Sequence, residues 1–264
     1  MAKRLHRNKE RAARIPDGIR IYAIGDLHGR LDLLEEVLTR IDADLATCPI
    51  ARSIHVFLGD YIDRGPCSRQ VLDRMIARSR THETIGLRGN HEAMIFQFFE
   101  TPDVLDQWRR FGGLETLISY GLVPSLRNDP VERARLSVEL ERVLPREHRA
   151  FLLDLQSSFR CGDFLFVHAG IRPDVPLSRQ REEDLLWIRD DFLVHEGDYE
   201  AVVVHGHSPV VLPDVRPNRI NIDTGAFATG CLTCIVLERG SHRFLTARTR
   251  LRDGPLRVDA PRGE

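Results

Sequence analysis

Cysteine is scarce and odd in number, charge of neither sign is in excess, and apolar runs are short. The five cysteines are scattered at positions 48, 67, 161, 231 and 234 of 264 residues. A disulfide scaffold needs dense, paired cysteines, so that class is excluded and a reduced, cytoplasmic protein is expected. The single CxxC, Cys231 to Cys234, has no second pair to complete a zinc site. It lies in TGCLTCIVLE, which reads as a strand, so its thiols point to opposite faces and pack into the fold. Lys and Arg number 38 against 39 Asp and Glu, a formal net charge of -1. That balance gives no general field for nucleic acid or an acidic membrane, and neither is expected as a partner. No apolar run approaches the length of a membrane span. The basic MAKRLHRNKERAAR has neither the apolar stretch of a secretory signal nor the Ser and Thr of a transit peptide. It reads as a solvated tail over 1–14, matched by a polar tail over 249–264. Residues 15–248 suffice for one large domain.

What recurs is a strand that ends in chemistry. IRIYAI (19–24) runs into GDLHGR (25–30), and the helical LDLLEEVLTRI follows. HVFL, GDYIDRG (59–65) and SRQVLDRMIARSR repeat that order, and ETIGL, RGNHE (88–92) and AMIFQFF repeat it again. FLFVHAG (164–170) and AVVVHGHSP (201–209) also break into His and Gly where the apolar run ends. Open α/β sheets bind ligands beyond the carboxyl ends of their strands, and here five apolar runs that read as strands each deliver Asp, Asn or His there.

Within GDYIDRG, two carboxylates stand beside a guanidinium. Arg64 suits a phosphate, whereas Asp60 and Asp63 repel one, so a cation must stand between them. The other loops supply its ligands. Asp26 and His28 alternate along one loop, Asp60 can bridge two cations, and Asn90, His168 and His207 add an amide oxygen and imidazoles. This O and N mixture suits Mn, Fe or Zn better than calcium, and a bridged pair about 3.5–4 Å apart is the usual device for phosphate ester hydrolysis.

GDLHGR, GDYIDRG, GNHE, VHAG and HGHSP, in this order, resemble the calcineurin-like metallophosphoesterases. More narrowly, they are similar to the phosphoprotein phosphatase branch, including small bacterial and phage serine/threonine phosphatases. The resemblance implies an α/β fold of two packed mixed β-sheets flanked by helices (α/β/β/α). It implies two divalent ions, Mn2+ first, with Fe, Zn, Ni or Co as alternatives. Asp26, His28 and Asp60 would hold one ion, and Asp60, Asn90, His168 and His207 the other. His91 would be the general acid, oriented by Asp63. Arg64 would bind phosphate with a second arginine, for which Arg189 in DLLWIRDDF is the candidate and Arg172 the alternative. Pro209 stands where many relatives, nucleases included, have a last His, which favours monoester chemistry.

The implied reaction is direct attack of a metal-bridging hydroxide on a phosphorylated protein or small phosphate ester. The substrate expected first is a serine/threonine phosphoprotein. The alternatives are a dinucleoside polyphosphate hydrolase of the diadenosine tetraphosphatase type and a catalytically silent metal-binding regulatory module. Several readings stay open. His205 is ligand, support or filler. Asp223 supports His207 or Asn90, or merely forms a turn. Arg88 is solvated or paired with an acid. The helical insert over about 93–160 is a lid or cover for the sheet, with Trp108 packing and Gly112-Gly113 turning. Asp129-Pro130 reads as its helix start, Pro145 as an interruption, and REHRAFLLDLQSSF as resumed helix.

Overall fold

The computed structural model describes residues 13–125 and 129–249, so the two expected tails fall almost wholly outside the described residues. Their inner ends join the body: Arg14 donates its backbone N–H to Asp163 Oδ2 at 2.9 Å, and Arg30 reaches the Thr249 hydroxyl. The first half alternates β1 (Ile19–Ile24), α1 (Leu31–Thr47), β2 (Arg52–Phe57), α2 (Ser68–Ser79), β3 (Glu83–Gly86) and α3 (Asn90–Glu100). Helices α4 (Leu105–Arg110), α5 (Gly113–Ser119), α6 (Pro130–Val143) and α7 (Arg146–Leu153) precede β4 (Ser158–Cys161) and β5 (Phe164–Val167). Then come α8 (Glu182–Trp187), α9 (Asp190–Leu193), β6 (Val202–His205), β7 (Asp214–Val215) and β8 (Arg219–Asn221). Short α10 (Ala226–Thr229) leads into the hairpin of β9 (Cys231–Glu238) and β10 (Ser241–Arg248).

One sheet has the order β10-β9-β1-β2-β3, with β1, β2 and β3 parallel. The other is β4-β5-β6-β8-β7, with β5, β6 and β8 parallel. Alternation along the strands makes the layers. On β1, Ile21 and Ala23 face the second sheet while Tyr22 and Ile24 pack under the helices. On β5 and β6, Phe166 and Val204 face inward while Val167 and Val203 lie with Leu185 and Phe192 of α8 and α9. Both faces of these strands are buried, which is why the sequence shows continuous apolar runs. The result is two mixed sheets between helical layers, as the resemblance implied.

Trp108, Leu117, Leu136, Leu140 and Leu152 of α4–α7 share one core with α1 and α2. α6 starts as read, with Pro130 first and Asp129 Oδ1 accepting the Glu132 N–H at 2.9 Å. The reading of REHRAFLLDLQSSF is corrected at its end. The helix stops at Leu153, and Ser158–Cys161 pairs antiparallel with β5 around Gly162, whose φ of 58° permits the turn. Cys234 packs with Leu232 and Val236 under the helices, and Cys231 lies on the other face, both as free thiols. Among the described residues no helix is long and apolar enough to cross a membrane.

Candidate metal centre

Strands β1, β2, β3, β5 and β6 end at one rim of the sandwich, and their loops meet there. The loops are held hard. Seven described non-glycine residues have positive φ, and five of them are expected site residues: His28, Asp60, Asp63, Arg64 and His207. Such left-handed conformations cost on the order of 1–3 kcal/mol each and persist where surroundings over-determine them. Glu92 is one such constraint. Its buried carboxylate accepts the N–H groups of Asp60, Tyr61 and Gly89 at 2.9, 2.8 and 2.9 Å.

The imidazoles are oriented by backbone carbonyls. His168 Nδ1 lies 2.9 Å from Leu58 O and His28 Nδ1 lies 3.0 Å from Ile62 O. A carbonyl can only accept, so each Nδ1 carries the proton and each neutral ring turns an Nε2 lone pair inward. His168 Nε2 then sits 3.0 Å from Asn90 Oδ1, 3.2 Å from His207 Nδ1 and 3.3 Å from Asp60 Oδ1. His28 Nε2 lies 3.5 Å from Asp60 Oδ2. The Nε2 lone pairs of His168 and His28 thus face acceptor oxygens with no proton between them. Asp26 Oδ2 accepts the His207 backbone N–H at 3.0 Å, but buried Asp26 Oδ1 has no partner. Buried polar atoms are not ordinarily left so, and a cation among them satisfies every one. The donor set fits divalent metal. His28–Asp60–His91 and Asp60–His168–His207 each bring their ligand atoms within 4.8 Å of one another.

Electrostatics divides the four rings. Burial pushes His28 down to about 3, His207 to about 2, and His168 below its usual value. Burial opposes charge on His91 as well, but Asp60 and Asp63 outweigh it and raise that group. Three imidazoles are therefore free to ligate, and the fourth favours its proton. His91 Nδ1 is 2.6 Å from Asp63 Oδ2, and its Nε2 faces Arg64 Nη2 at 3.2 Å. Burial and the nearby Asp223 and Asp60 hold Asp26 well above the carboxylate range.

Arg189 lies at the N-terminus of α9, with Nη1 3.2 Å from Ser208 Oγ, beside His207. Arg172, the alternative, is spent on Asp184 and Asp191. Arg88 pairs with Glu182. His205 follows Val203 by two residues on β6, so its ring turns to the outer face and meets Phe192 at 4.9 Å; it joins neither ligand cluster. Asp223 Oδ1 accepts the Gly225 N–H at 2.9 Å, the turn reading, and bonds to neither His207 nor Asn90. Two clefts lie nearby, one of them lined by residues of the centre. One of about 660 Å³ runs past Phe96, Glu100, Glu182 and Trp187, whose ring is 6.2 Å from that of His207. The other, about 210 Å³, starts at His28, Arg64 and Asp223 and ends against Val211 and Phe227.

The model of the calcineurin-like phosphoesterase family matches residues 19–229, every loop of this centre included. The chain belongs to that family. It is a phosphoesterase. It is 28% identical to bis(5'-nucleosyl)-tetraphosphatase PrpE [asymmetrical] of Anoxybacillus flavithermus over 232 residues, 80% of this chain and 88% of that one. It is 30% identical to serine/threonine-protein phosphatase 2 of Salmonella typhimurium over 222 residues, 81% of this chain and 90% of that one. A solved putative diadenosine tetraphosphatase aligns at TM-score 0.59 and 19% identity, covering 86% of this phosphoesterase and 93% of its own chain. A yeast serine/threonine phosphatase similar to human PP5 aligns at 0.55 and 14%, covering 88% and 80%. These two carry the fold alone.

Sequence reasoning passed over Glu92 and the polar contact of Trp108. Glu92 ends the RGNHE stretch and drew no role from its position there. Trp108, read as packing, donates Nε1–H to Asp63 Oδ2 at 2.7 Å. An indole donor 45 residues from its acceptor leaves no local signal.

Proposed function

We propose that this phosphoesterase is a binuclear-metal hydrolase of phosphate esters acting on serine or threonine phosphoproteins. The observation that carries the reading is the ring of unprotonated acceptors around Asp60, with Arg64 and Arg189 at its margin. Asp26, His28 and Asp60 would hold one divalent ion, and Asp60, Asn90, His168 and His207 the second. Bound ions of this kind supply a water-derived nucleophile at neutral pH and neutralise phosphate charge. The chain's own groups do the rest. Arg64 and Arg189 hold the phosphate's outer oxygens and stabilise the charge that develops on them. His91 Nε2 gives its proton to the leaving oxygen, and Asp63 fixes the ring and favours its charged form.

A second substrate reading, a dinucleoside tetraphosphate, is favoured by the PrpE likeness and by the cleft that opens beside His28 and Arg64. One panel at fixed Mn2+ separates the two: p-nitrophenyl phosphate, phosphoserine and phosphotyrosine peptides, and diadenosine tetraphosphate. The phosphoprotein reading expects the highest kcat/KM on the phosphoserine peptide. A preference for diadenosine tetraphosphate replaces it with the second, and inactivity on all four overturns both.

A further inference from the structure

The corner between α4 and α5 does more than cover the sheet. Asp63 is fully buried, and its carboxylate is committed on both oxygens. Oδ2 faces His91 Nδ1 and also accepts the Trp108 indole N–H at 2.7 Å. Oδ1 accepts the Thr116 hydroxyl at 2.5 Å, and the Asp63 N–H is in turn 2.9 Å from Thr116 Oγ1. Trp108 lies within α4 and Thr116 within α5, so two helices grip one carboxylate. The loop between them grips the next residue: Arg64 donates its N–H to Gly112 O at 3.0 Å. Phe111 completes the contact, its ring 5.8 Å from that of His91. Asp63 and Arg64 both sit at positive φ, 72° and 65°, a geometry their own sequence does not favour.

We propose that Trp108 and Thr116 are positioning residues for catalysis: through Asp63 they fix the ring of His91 so that Nε2 aims at the leaving oxygen. The proposal rests on His91 being the acid. Three donors converge on one buried carboxylate, which leaves its plane, and hence the imidazole bonded to it, no freedom to turn. Without the indole N–H, Oδ2 can rotate and His91 with it, while Asp60 stays in place because Glu92 holds the backbone N–H groups of Asp60 and Tyr61.

The test uses two small substrates, so that it does not depend on the physiological one. Phenyl phosphate leaves as a basic phenolate that needs a proton, whereas p-nitrophenolate is stable without one. Trp108→Phe keeps a ring in the core and removes only the donor. Its kcat on phenyl phosphate should fall by about tenfold to a hundredfold, the scale of a small misplacement of a reacting group. Its kcat on p-nitrophenyl phosphate should fall by less than about threefold, because little protonation is needed there. KM and bound metal should be unchanged. In a His91→Asn background the same substitution should cost nothing more. Thr116→Val should behave likewise and Thr116→Ser should recover activity, which carries the comparison if the Trp108 variant does not fold. Equal losses on both substrates, or losses that add to those of His91→Asn, would overturn the positioning role. Should His91→Asn alone slow both substrates equally, the acid assignment fails, and the proposal with it.

Discussion

Each oxygen of Asp60 faces a different histidine, Oδ1 towards His168 at 3.3 Å and Oδ2 towards His28 at 3.5 Å. That division suits a carboxylate that bridges two ions. Asp60→Asn should therefore lose both ions and all phosphoesterase activity; elemental analysis of the purified variant checks it, and full metal occupancy would end the bridging role. Arg189 bonds to Ser208 Oγ, beside the centre. Arg189→Ala should keep its metal yet lose about 2–4 kcal/mol of transition-state stabilisation, the scale of an oxyanion donor. Steady-state kinetics with metal analysis reads this, and unchanged kinetics would place the guanidinium outside the reaction.

At the scale of elements, the loops matter more than the strands they leave. Gly112 joins α4 to α5 at φ 90°, and a Cβ there would stand 2.6 Å from Arg64 N. Gly112→Ala must strain its own backbone or push Arg64 away. A cost on the order of 1–3 kcal/mol is expected, which lowers Tm by several degrees in a domain of this size. Phosphate should also inhibit the variant more weakly, because Arg64 moves with the loop. A melt and an inhibition constant for inorganic phosphate test this together; loss of stability with unchanged phosphate affinity would separate the corner from Arg64.

For the whole molecule, the centre is a concentration of buried negative charge. Asp26, Asp60, Glu92 and Asp223 are all buried at one rim. Burial pushes Asp223 up to about 6 and Glu92 to about 7, with Asp60 adding to both. An acid whose folded value is raised contributes stability below its unfolded value, and that contribution is lost as pH rises through the folded value. The metal-free protein should thus lose stability between about pH 4 and pH 7, against the usual trend of its surface ion pairs. Asp223→Asn should remove part of that loss, up to about 3 kcal/mol for a buried carboxyl held at about 6. Mn2+ should abolish the difference by neutralising the cluster. Thermal melts at several pH values, with chelator and then with Mn2+, decide it; a variant no more stable than wild type at pH 7 in chelator would refute the charge-crowding account.

That Asp, Asn and His gather in loops after strands was legible because metal and phosphate chemistry permits few side chains at such positions. The α/β class was legible because strands buried on both faces must be apolar throughout. Single-chain spacing could not reveal which loops meet across the two sheets, since His168 and Asp60 lie far apart in the sequence and only packing brings them to 3.3 Å. Nor could it assign His205, whose direction depends on strand parity against Phe192, or see that β4 leaves the helical pattern to pair with β5. Trp108 shows the same limit: its apolar ring predicted burial, and it is buried, but only the tertiary structure puts its one polar atom on Asp63. Composition and periodicity report how much surface a residue hides, whereas a hydrogen bond depends on which partner the fold places within about 3 Å of it.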